Sequence, residues 1–129
     1  MKTAATIAQM LVRACGLVLL VLGILFWTGN AESLIDLHRL LGFVLVISLL
    51  VLVVLAARSG APPGLVALAL AWAVVVPVLG MTQDRLVTGS AHWLIRVLHL
   101  LLGLGAIALA ERLARLVKGR RGVAPPATA

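Results

Sequence analysis

Four apolar blocks, each close to the length that crosses a bilayer, constrain this sequence more than any other feature. They run from about Ile7 to Trp27, Leu37 to Ala57, Gly64 to Met81 and His92 to Val117. About 20 residues at 1.5 Å rise per residue cover the ~30 Å of a hydrocarbon core. Leucine and alanine fill the blocks without period-2 alternation, and a lipid-exposed backbone must satisfy its own hydrogen bonds, so each block is expected to be a helix. The apolar share is 63% and the charged share 12%. A soluble domain of this length could not bury that much apolar surface. The fold class expected is therefore all-α: an integral membrane four-helix bundle over residues 1–117, with a basic, Pro- and Ala-rich tail over 118–129.

The connections are short and polar. Thr28 to Asp36 carries Glu32 and Asp36, Arg58 to Pro63 is a tight turn broken by Gly60 and Pro62-Pro63, and Thr82 to Ala91 carries Asp84 and Arg85. Pro77 removes a backbone donor in the third block and is expected to bend that helix near its outer end.

Charge placement sets orientation. Lys2, Arg13, Arg58, Arg112, Arg115, Lys118, Arg120 and Arg121 fall on one side; Glu32, Asp36 and Asp84, with Arg39, Arg85 and Arg96, fall on the other. The positive-inside rule then places both termini in the cytoplasm of a bacterial-type plasma membrane. The net charge of +7 suits an anionic inner leaflet, and no nucleic-acid partner is expected. Arg13 lies inside the first block and must snorkel or find a partner. Lys2, Arg13, the apolar run and Gly29-Asn30-Ala31 imitate a cleaved signal, but the run continues a helical stretch begun at Thr6, so it is expected to remain as the first helix. The single cysteine, Cys15, offers no internal disulfide and reads as a small buried residue.

An internal match carries the functional reading. Leu37-His38-Arg39-Leu40-Leu41-Gly42 opens the second helix, and Leu98-His99-Leu100-Leu101-Leu102-Gly103 lies in the fourth. Read as two diverged helical hairpins running the same way through the membrane, the halves are related by a pseudo-twofold along its normal. That axis sets helices two and four across from each other and brings His38 and His99 face to face in the outer half.

An ionisable side chain within a span is a functional candidate by default. Each histidine has a glycine four residues on, Gly42 and Gly103, on the same helix face. Such a glycine leaves a flat hollow beside the imidazole, the shape a porphyrin plate requires. One haem b per chain clamped between His38 and His99 as axial ligands is the leading expectation; another metal, a quinone, or a purely structural role are the alternatives. Arg39 and Arg96 either pair with haem propionates or snorkel at the interface. Trp27 and Trp93 fit an interfacial aromatic belt, and Trp72 core packing. His92 precedes His99 by two turns, about 10 Å along the helix, too far to share one iron with it; it reads best as an interfacial residue. Gly16 and Gly23, and Ala67 and Ala71, fit close helix packing within the bundle or in a homodimer.

With four spans and His38 and His99 followed by Gly42 and Gly103, the chain resembles membrane b-type cytochromes of the four-helix kind, broadly the cytochrome b561-like group. The resemblance covers the bundle but not the loops or the tail. It implies bis-histidine haem ligation and a role in electron transfer or redox sensing, alone, as a homodimer or within a larger membrane redox complex. Such proteins hold two haems with four histidines, whereas this chain has three, which allows one bis-histidine haem and puts electron transfer across the whole membrane in doubt. The competing class is a non-catalytic accessory subunit whose histidines form interhelical hydrogen bonds. There is no phosphate-binding loop, no catalytic triad and no cysteine metal knot. Whether the chain is an enzyme stays open.

Overall fold

A computed structural model describes residues 1–119; the 118–129 tail expected above falls, beyond Gly119, outside the described residues. Four helices account for nearly all of it: α1 (Lys2–Trp27), α2 (Ile35–Arg58), α3 (Pro63–Thr82) and α4 (Trp93–Gly119). All four are long and apolar enough to cross a membrane. Each apolar block became one helix, because leucine- and alanine-rich runs have high helix propensity and hold no interior breaker other than Pro77. The helix α3 continues through Pro77 to Thr82.

The ends of the helices follow from local chemistry. At the C-terminus of α1 the Thr28 hydroxyl donates to the Leu25 carbonyl at 2.9 Å. Gly29 (φ 75°) and then Ala31 (φ 59°) turn the chain through the left-handed region, and a 3-10 turn over Glu32–Leu34 leads into α2. Between α2 and α3, Gly60 adopts φ 72°. Pro63 then opens α3, where a missing N–H costs nothing because that donor has no intrahelical partner.

Side-chain contacts fix the topology as up-down-up-down. Phe26, near the end of α1, meets His38 at the start of α2. Gln9, early in α1, meets Glu111, late in α4. Trp72 of α3 bonds Leu102 of α4. The helices α2 and α4 run parallel and touch, and each also packs on α1 and on α3, while α1 and α3 make no substantial contact among the described residues. The pair expected to face across the bundle thus forms its centre.

Coverage is unequal along the bundle. The fully buried residues gather toward the N-terminus of α1 and the C-termini of α2 and α4, around Val12, Leu49, Leu52, Ala110 and Leu113. Cys15 lies in this core, as its apolar setting suggested. Outside this cluster, Leu22 and Ile95 in the opposite half are the buried hydrophobic residues among the described residues. The small residues that α3 presents inward are Ala69 and Ala73; Ala67 and Ala71 are exposed, which corrects their assignment to packing within the bundle. Gly16 does serve close packing, since a Cβ there would stand 2.7 Å from Ile107 Cδ1 on α4, whereas Gly23 has open space.

Candidate functional site

The less covered half holds both candidate histidines. His38 lies in the first turn of α2 and His99 roughly two turns inside α4. Because α2 and α4 are parallel neighbours, the two side chains stand at the same height. Their ring centres are 6.4 Å apart and the planes are inclined at 46°. Both rings are half-buried. The Nδ1 atoms of both are buried without a hydrogen-bond partner among the described residues. A buried polar nitrogen left unpaired costs roughly 1–3 kcal/mol, so two together mark a place where the protein alone leaves chemistry unsatisfied.

The rings have different neighbours. Phe26 of α1 sets its ring edge-on to His38, with centres 5.4 Å apart. His99 instead lies against backbone: a Cβ at Gly80 of α3 would stand 2.9 Å from its Cε1. Neither Phe26 nor Gly80 was singled out from the sequence. Their place depends on where each hairpin turns, which sequence spacing leaves uncertain by several residues; a glycine near the end of the helix antiparallel to His99 was the available signal.

Gly42 and Gly103 both have open space where a side chain would be. The next glycine on α4, Gly105, works the other way. It receives the indole of Trp72, whose Nε1 would stand 2.7 Å from an added Cβ. The Nε1–H of Trp72 donates to the Leu102 carbonyl at 2.9 Å. Trp72 is therefore a packing residue that ties α3 to α4 one turn beyond His99.

The flanking arginines are exposed. Arg39 pairs with Asp36 on the same helix at 3.3 Å; Arg96, one turn before His99, has no side-chain partner among the described residues. His92 is not part of α4. It caps the 3-10 turn Gly89–Ala91, and its Nδ1 lies 3.3 Å from the Leu86 carbonyl, a contact in which the ring nitrogen is the donor. It holds the α3–α4 connection and stays apart from the pair. Trp27 and Trp93 are exposed at this same end.

A second polar group sits at the other end. Glu111 accepts from Arg13 Nε at 2.6 Å and Nη2 at 2.9 Å, and from Gln9 Nε2 at 2.6 Å. Lys118 donates to Gln9 Oε1. The partner Arg13 needs is thus a carboxylate on α4, and Gln9, only 3% exposed, is satisfied on both sides. Sequence reasoning missed Gln9 altogether, because a lone amide early in a helix carries no pattern.

Two imidazoles alone do not fill a metal's coordination sphere, and among the described residues no three His, Cys, Asp or Glu side chains come together. The pair has the right donor set for a ligand that brings its own in-plane donors. Two imidazoles at this spacing could both reach one metal ion, for which a tetrapyrrole would supply the remaining donors. No family model, curated protein or solved structure matches this chain, so the residues themselves carry the functional argument.

Proposed function

We propose that this chain is a membrane-embedded haem b protein in which His38 and His99 would be the two protein ligands to the iron, acting in electron transfer or redox sensing. The observation that carries the reading is the pair itself: two imidazoles from parallel helices, ring centres 6.4 Å apart, each with a glycine and open space four residues on. Haem bound there supplies a one-electron iron couple. The protein's part is to present two neutral nitrogen donors at one height, keep side chains off the faces at Gly42 and Gly103, and surround the site with apolar groups. Arg39 and Arg96, at the same end of the bundle, are suited to receive propionates.

The membrane reading rests on the four long apolar helices and on the gathering of Lys2, Arg13, Arg58, Arg112, Arg115 and Lys118 at one end of the bundle. By the positive-inside rule that end faces the cytoplasm of a bacterial-type plasma membrane, with both termini inside. The two hairpins are read as diverged copies, which accounts for parallel α2 and α4 carrying the equivalent histidines. The histidines then lie toward the outer face, where one haem exchanges electrons with a partner on that side, a second copy or another membrane redox subunit. The accessory-subunit reading asks the histidines to hydrogen-bond across helices; the unpartnered Nδ1 of each favours the ligand role.

The test is an absorbance spectrum of the protein purified from haem-replete cells. A Soret band with sharp α and β bands on reduction, lost in the His38→Ala, His99→Ala double variant, is expected. A colourless protein overturns the proposal.

A further inference from the structure

The two histidines are equivalent by sequence repeat but not by how the fold holds them. His99 stands in a restrained stretch of α4, with its ring against Gly80 of α3 and only 2.9 Å from Cε1 to a Cβ added there. Ile95, one turn before His99, is a buried residue of α4. Just after His99, the Trp72 indole anchors the Leu102 carbonyl at 2.9 Å. His38, whose Nδ1 is also buried, stands at a helix end rather than within one. It lies in the first turn of α2, and that helix has no buried residue before Leu45. Its described ring neighbours are the edge of Phe26 and His99 itself.

The segments leading to each histidine repeat the contrast. Seven residues ahead of His38, Ala31 is held at φ 59°, a region that L-residues with a Cβ rarely adopt. The α3–α4 connection has a similar position at Val87 (φ 46°), and a 3-10 turn follows in both segments, but between Val87 and His99 stand also the His92 contact to Leu86 and the buried Ile95. A helix end whose first fully buried side chain is Leu45, and which carries an exposed ion pair, Asp36–Arg39, opens locally more readily than a segment pinned by buried contacts.

Resting on the haem reading above, we infer that His99 is the anchored ligand and His38 the releasable one, so that the site admits a small neutral donor of carbon monoxide's kind on the α2 side. In that exchange His38 leaves as neutral imidazole with its lone pair and the incoming molecule donates its own pair in its place. No electron or proton changes hands, so no further reactant is required. The first turn of α2, with Asp36 and Arg39, would move with His38, giving ligand binding a mechanical readout at the outer end of the bundle. Such an arrangement favours sensing over plain electron carriage, since a pure carrier gains from two equally rigid ligands.

The probe is carbon monoxide added to the dithionite-reduced, haem-loaded full chain in lipid nanodiscs. Conversion of most of the reduced spectrum to a carbonyl form is expected. His38→Ala should keep at least half the haem per chain and bind carbon monoxide at least tenfold more tightly, while His99→Ala should lose nearly all haem. Should His99→Ala fail to fold, the wild-type chain without haem gives a second readout: by NMR with labelled histidine, the His38 imidazole signals should be broadened by exchange and those of His99 sharp. A haem-loaded protein inert to carbon monoxide, equal haem loss in the two variants, or equal line widths would overturn this inference while leaving bis-histidine ligation standing. A wild-type chain that never takes up haem would overturn both.

Discussion

Gly80 near the end of α3 lies against the His99 imidazole on α4, so close that a methyl group in place of its hydrogen would stand 2.9 Å from Cε1. The helices approach here through backbone, and the ring's position is set by the absence of a side chain. Gly80→Ala must therefore push the imidazole aside. Overpacking costs about 1–3 kcal/mol, partly offset by about 1 kcal/mol of helix propensity gained. The net cost is about 0–2 kcal/mol, so the fold should survive, while in the haem-loaded protein proposed above the reduced α band and the midpoint potential should shift. Redox titration of the variant checks this; an unchanged spectrum and potential would mean that Gly80 does not position the ligand.

Gly42 and Gly103 predict the opposite balance. Both have open space above them, so alanine at either meets nothing and should stabilise the helix by about 0.5–1 kcal/mol. If haem lies against these faces, as proposed, a bulkier leucine at either position would take its space. We expect Gly42→Leu and Gly103→Leu to fold, by circular dichroism and gel filtration, yet to carry less than half the wild-type haem, by pyridine haemochrome assay. Full haem content in both variants would remove the porphyrin from those faces.

At the basic end, Glu111 joins Arg13 and Gln9 of α1 to α4. If these contacts act as one clamp, Arg13→Ala and Glu111→Ala should each lower the thermal midpoint, and the double variant should be no worse than the poorer single one, since both remove the same interaction. The haem spectrum should not change, because the clamp lies at the other end of the bundle. Additive losses in a double-mutant cycle would show that the two residues act independently.

Orientation is open to direct labelling. Cys15 is buried, and replacing it by serine gives a background without thiols. On that background Ser59→Cys, in the α2–α3 turn, should react with a membrane-impermeant maleimide only from the cytoplasmic side, and Thr88→Cys, in the α3–α4 connection, only from outside. The reverse pattern would invert the topology and move the histidines to the inner half.

Much of this protein was legible without coordinates. The number of helices and their bounds to within a few residues follow from apolar runs too long for strands, because helical hydrogen bonds are local and need no partner chain. The parallel placement of α2 and α4, and hence the meeting of His38 with His99, followed from the internal match and from short connections that force antiparallel neighbours. What only the tertiary structure decided was lateral: which face of each helix turns inward, and which residues of different helices meet. It placed Ala69 and Ala73 inside and Ala67 and Ala71 outside, set Trp72 on Gly105 and His99 on Gly80, gave Arg13 its carboxylate and left the histidine half less covered. The physical reason is that leucine, valine and alanine are nearly interchangeable on helix faces that are apolar all round, so periodicity does not mark the inward side. Only the shape of the packed helices, down to single missing side chains, makes that choice.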